Sequence, residues 1–142
     1  MRTIPKPAVS LLFLVVFLVG CSTISPFNEG AYKQAISIKV SALALMDKAI
    51  EPYTAYRKEV DALMLEATNA YEYAKGRPQN EESTKQWKIM IDPDRNMLAG
   101  FFKKWKSAQG DGLSPAFVEA AKRTISEGFD AISGLESGKL KK

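Results

Sequence analysis

Little in these 142 residues has the right type and spacing for catalysis. The chain has no histidine and a single cysteine, Cys21. The commonest general base and the commonest zinc ligand are therefore missing. One cysteine forms neither an internal disulfide nor a thiolate cluster. No G-x-S-x-G or S-x-x-K occurs to activate a serine, and phosphate-loop and dinucleotide fingerprints are absent. Asp92-x-Asp94-x-Asn96 copies the first half of a calcium loop. Met97 then stands where the turn glycine belongs and Lys103 where the bidentate glutamate belongs. The run is read instead as acids at the positive end of a helix. Glu59 with Asp61, or Glu81 with Glu82, would have to face each other across about 5–9.5 Å to cleave a glycoside. Adjacent or next-but-one helical residues point to different faces. No catalytic residue, metal site or cofactor is expected.

Binding chemistry is better represented. Trp87, Lys88, Lys103, Lys104, Trp105 and Lys106 mix rings with cations, a combination suited to an anionic glycan, a phosphate or a lipid headgroup. The competing reading puts Trp105 in the core with the lysines as its solvated flank. Trp87, on a shorter helical piece, is then the ring expected at the surface, making Trp87, Lys88, Lys103, Lys104 and Lys106 the candidate contact residues. Phe101, Phe102, Phe117 and Phe129 form either a core or the walls of an apolar pocket. Tyr56 and Tyr73 fall off the apolar seam, where they could face a protein partner.

The elements that must position these groups read as helices throughout. Hydrophobic residues make up 46% and charged residues 25% of the chain, an ordinary globular mix with room for one modest core. From residue 31 to 75 apolar residues recur in steps of three and four: Ile36, Leu43, Met46, Ile50, Tyr53, Val60, Met64, Ala67, Tyr71, Ala74. Lys39 and Arg57 interrupt the seam. They either snorkel past the edge of the bundle or mark a stretch that overhangs it and awaits a partner. Pro52 lies within the pattern, yet the seam keeps phase across it, which favours one long helix kinked there over two separate helices. Gly76 and Pro78 end that helix, and Asn80 caps a short helix over 81–91. Asp92-Pro93 opens another carrying Met97, Leu98, Phe101, Phe102 and Trp105, closed by Gly110-Asp111-Gly112. Ser114-Pro115 starts the last helix, with Leu113 and Val118 as a hydrophobic staple and a stripe through Phe117, Ala121, Ile125, Gly128 or Phe129, Ile132 and Leu135. The expected fold is an all-α antiparallel helical bundle over 29–138, with one long first helix, two or three shorter ones and a basic tail at 139–142.

Residues 1–20 stand apart from this domain. Arg2 and Lys6 precede the unbroken apolar run from Leu11 to Val19, too short to span a bilayer but suited to a secretory signal. The run ends in Leu18-Val19-Gly20-Cys21, which resembles the lipobox of bacterial lipoproteins, with the chain's one cysteine where the motif needs it. The resemblance implies recognition through Leu18, Val19 and Gly20, cleavage before Cys21, and acylation of Cys21 into a membrane anchor of two or more chains. Ser22 rather than Asp then implies export to the outer membrane, facing the periplasm. Residues 21–28 become a lipidated tether that lifts the domain off the lipid. Losing Arg2 and Lys6 halves the formal charge of +4, which leaves no electrostatic argument for nucleic acid.

The reading that follows is a lipid-anchored, non-enzymatic envelope protein that binds another envelope protein; the domain resembles small helical envelope lipoproteins. One alternative is a structural role contacting peptidoglycan through the basic end. It rests on a layout similar to the major outer-membrane lipoprotein, with acyl groups at one end and lysines at the other. A second alternative is a small-ligand carrier.

Overall fold

A computed structural model describes residues 24–108 and 110–141. The signal segment and the lipobox residues Leu18, Val19, Gly20 and Cys21 lie outside the described residues. Every regular element among the described residues is helical, as the apolar spacing requires. Five α-helices, α1 (Glu29–Met46), α2 (Arg57–Gly76), α3 (Glu81–Ile91), α4 (Leu98–Ser107) and α5 (Pro115–Gly138), pack as an antiparallel bundle, with α3 and α4 sharing one leg. No helix among them is long and apolar enough to cross a membrane.

Pro52 does not kink a long helix; it sits in a reversal of the chain. The side-chain oxygen of Asn28 accepts from the Ala31 N–H at 2.8 Å and starts α1. After Met46 the chain tightens into a 3-10 turn, Asp47–Ile50. Glu51 is extended at φ −102°, ψ 166°, as a residue before proline prefers to be. A second 3-10 turn, Tyr53–Ala55, leads into α2. The two helices then run antiparallel, so that Asn28 at the start of α1 donates to the Tyr73 hydroxyl near the end of α2 at 2.8 Å. Groups distant in sequence satisfy the corner. The Trp105 Nε1–H donates to the Glu51 carbonyl at 2.8 Å, and the Leu113 N–H to the Ala49 carbonyl at 2.6 Å. Gly112 makes the second contact feasible. Its φ is +72°, and a Cβ there would lie 2.4 Å from the Ile50 carbonyl oxygen, so only glycine fits both the conformation and the space.

The buried stripe of α1 also differs from the seam read from its larger residues. Ala35, Ile38, Ala42, Leu45 and Met46 face the core, while Ile36 and Ile50 are exposed. Alanine on the inner face lets neighbouring helices approach closely. In α2 the stripe is Val60, Leu63, Ala67, Ala70 and Ala74. Arg57 is exposed and pairs loosely with Asp61, whereas Lys39 reaches Asp130 on α5. Gly76 is the last residue of α2 rather than a left-handed cap; Gln79, at φ 56°, takes the left-handed position in the turn that follows.

Helix α3 occupies the expected span with Asn80 at its N-cap position, but the Asn80 side chain makes no capping bond. The helix expected from Pro93 begins at Leu98 instead. Asp92 accepts from the Asp94 N–H at 2.9 Å and closes a turn before α4 rather than capping a helix. Ser114 caps α5 as expected, accepting from the Phe117 N–H, with Pro115 in the first turn and Leu113 and Val118 both buried. The core centres on Phe129 and Trp105, both fully buried. Trp87 meets the Phe129 ring edge-on at 6.0 Å, and Trp105 is ringed by Tyr53, Tyr56 and Phe102. At Gly128 a Cβ would stand 2.4 Å from the Met97 Cε, which marks how closely α5 approaches the other leg.

Candidate functional site

The contact surface expected around Trp87 is not assembled. Trp87 is 4% exposed, because Ser83, Trp87 and Met90 lie on the inner face of α3. Lys88 is exposed on that helix, while Lys103, Lys104 and Lys106 are exposed on α4. Lys103 bonds Asp94 at 2.8 Å. The Lys104 ammonium sits over the Phe117 ring, 4.3 Å from its centroid. Among the described residues no group of acidic side chains is arranged to hold a metal ion. Glu82, Asp61 and Asp94 are each taken up by a neighbouring cation.

The Asp94–Lys103 pair offers a measurable signature. The hydrogen bond from Lys103, aided by its charge, holds the Asp94 carboxyl below its ordinary value and raises the Lys103 ammonium above its own. A lowered carboxylate pKa contributes stability above the unfolded pKa, and this is lost as pH falls through the folded one. Carbon-detected NMR titration is expected to show Asp94 ionising below pH 3.8, and Lys103→Gln to return it upward. An unchanged Asp94 in that variant would show that the pair does not persist in solution.

A cleft of about 480 Å³ lies between the start of α4 and the first half of α5. Phe101 and Phe117, with parallel rings 6.1 Å apart, line it together with Ile125 and the charged Asp94, Arg95 and Lys104. Of the four phenylalanines considered for a pocket, two therefore reach the cleft, while Phe102 and Phe129 are core.

The most constrained chemistry lies at one end of the bundle. Glu136, on the last turn of α5, has a side chain only 5% exposed, and its partners Arg77 and Lys139 are 13% and 6% exposed. Arg77 Nη1 donates to both Glu136 oxygens at 3.1 and 3.2 Å, and its Nη2 to the Pro26 carbonyl at 2.6 Å and the Ser25 hydroxyl at 3.3 Å. Lys139 donates to Glu136 Oε2 and Asn80 Oδ1, each at 2.7 Å, and to Ser25 Oγ at 3.1 Å. These three acceptors match the three hydrogens of its ammonium. Ser25 donates to Asn80 Oδ1, and the Asn80 amide donates to the Ala74 carbonyl at the end of α2. Main-chain bonds complete the set: Ser25 N–H to the Gln79 carbonyl, and Asn28 N–H to Glu136 Oε1, both at 2.7 Å.

Two cations and one carboxylate are thus buried together. No buried side-chain polar atom among the described residues lacks a partner. Such an arrangement holds rather than reacts: its polar atoms are engaged, and what they grip is the segment 25–28 of the chain itself. The structure therefore corrects two expectations. Lys139, the first residue of the expected basic tail, is buried in the cluster, and the later half of the expected tether is docked onto the bundle. Sequence reasoning missed this cluster because its members, at 25, 77, 80, 136 and 139, are scattered along the chain. The one local sign, an acid and a base three apart near the end of α5, is common on helix surfaces.

Comparison with protein-family models, with curated proteins and with solved structures gives no significant match.

Proposed function

We propose that this chain is a lipid-anchored envelope protein, held to the outer membrane through acylated Cys21 and binding another envelope protein without catalysing a reaction. The lipobox supports the anchor. The observation that carries the reading furthest is the buried cluster, because it fastens the residues immediately after the anchor to the folded domain. An anchor joined to a gripped segment transmits its position to the whole bundle. Val40 on α1 and Leu65 on α2, 63% and 62% exposed, are among the apolar side chains open to a protein partner.

The α4–α5 cleft favours ligand carriage as a second reading, since a cation over an aromatic wall suits a small amphipathic anion. The peptidoglycan reading draws less support, because its layout sets the basic end opposite to the anchor, whereas Lys139 contacts Ser25, four residues after Cys21 in the chain. Metabolic labelling with palmitate is the decisive test of the anchor. Label is expected on the native chain and absent from Cys21→Ser, which should also stay unprocessed. Label retained on the serine variant would overturn the assignment.

A further inference from the structure

Ile24 is the first described residue, and it lines the shallow depression at the clamped end together with Asn80, Ser83 and Leu135. Only three peptide links separate its Cα from that of Cys21. Three links cannot span more than about 11 Å. The headgroup region of one leaflet is about 6 Å deep. An acylated Cys21 must sit at the lower boundary of that region, because its chains enter the hydrocarbon. The end of the bundle holding Ile24, the α2–α3 turn and the end of α5 is then held at headgroup height or within about 5 Å above it.

We propose that the bundle stands end-on on the bilayer, with this clamped end as a membrane-contact face for phospholipid headgroups and the Pro52 corner pointing away; the inference rests on acylation of Cys21. Side chains at that end suit the position. Leu140 is 65% exposed on the final 3-10 turn, and Pro78 is exposed in the α2–α3 turn. The clamp keeps the geometry fixed. If residues 25–28 were free, the reach from Cys21 to α1 would more than double. The opposite end is far from the lipid, since α5 alone, with 24 residues, is about 36 Å long. The α4–α5 cleft and the sides of α1 and α2 are thereby presented at set heights above the surface.

The test uses the full acylated protein in phosphatidylethanolamine–phosphatidylglycerol vesicles containing a lipid with a nitroxide on its headgroup. Leu140→Cys and Thr54→Cys place a fluorophore at the two ends, Cys21 being blocked by its own acyl chain. Acylation and vesicle retention are measured first, and their absence would refute the anchor itself. In acylated protein, strong quenching at 140 and little at 54 is expected. Equal quenching at both positions, or none at 140, would overturn the end-on placement while leaving the anchor intact. A 20-residue Gly-Ser insertion after Ser22 leaves the fold untouched and gives the domain about 25 Å of average slack. It is expected to reduce quenching at 140 severalfold, and undiminished quenching there would show that something other than the short link holds the end to the membrane.

Discussion

Glu136→Ala is expected to lower folding stability by about 3–5 kcal/mol, because it removes the single anion that serves two buried cations. Arg77 would keep Pro26 and Ser25 as acceptors, and Lys139 would keep Asn80 and Ser25. Neither retains a counter-charge in the cluster. The Asn28 N–H also loses its acceptor. Equilibrium urea unfolding followed by far-ultraviolet circular dichroism measures the loss as a reduced midpoint. Glu136→Gln keeps an oxygen for Asn28 and should fall between native and alanine. If Glu136→Ala cost less than about 0.5 kcal/mol, the magnitude expected of an exposed pair, the cluster would be solvated rather than buried.

Trp105→Ala should destabilise the chain by about 3–5 kcal/mol, the usual range for deleting a large aromatic from a core. Its indole is 1% exposed and touches the rings of Tyr53, Tyr56 and Phe102. It also supplies the hydrogen bond to the Glu51 carbonyl at the α1–α2 corner. The variant should therefore loosen that corner beyond its loss of packing. Hydrogen exchange at Tyr56, whose amide closes the Tyr53–Ala55 turn, should accelerate more than exchange at mid-α2 amides such as Ala67. A small loss of stability with uniform exchange would mean that Trp105 packs without organising the corner.

The all-α bundle was legible from spacing alone, and so were the start of α5 at Ser114-Pro115, the span of α3, and Trp105 as a core residue. These are local properties: a cap, a proline in a first turn, a run of good helix formers. The errors arose where distant groups decide. Pro52 kept the apolar phase across it, so periodicity suggested continuity. The reversal depends on Trp105, Gly112 and Leu113, which lie more than fifty residues away. In α1 large residues alone mislead: Ile36 is exposed, whereas Ala35 and Ala42 are as fully buried as Ile38 and Met46. A short helix suggests a surface position for Trp87, but shortness does not decide which face turns inward. The clamp was invisible for the same reason as the corner: its ion pairs and side-chain bonds join residues from both ends of the chain.

The separation of those partners has a consequence in time. Every chain is made from its N-terminus, and the segment at 25–28 emerges first. Its fastenings come last: Glu136 lies 108 residues beyond Asn28, and Lys139 lies 114 beyond Ser25. Until the final turn of α5 has been synthesised, the first residues of the domain have Tyr73, Arg77 and the α2–α3 turn to hold them, without the carboxylate of Glu136 or the ammonium of Lys139. The segment at 25–28 of a nascent or truncated chain is therefore on a long leash, which shortens only once Glu136 and Lys139 have been made. A chain ending before Glu136 has neither the carboxylate nor the ammonium that draw its own beginning tight.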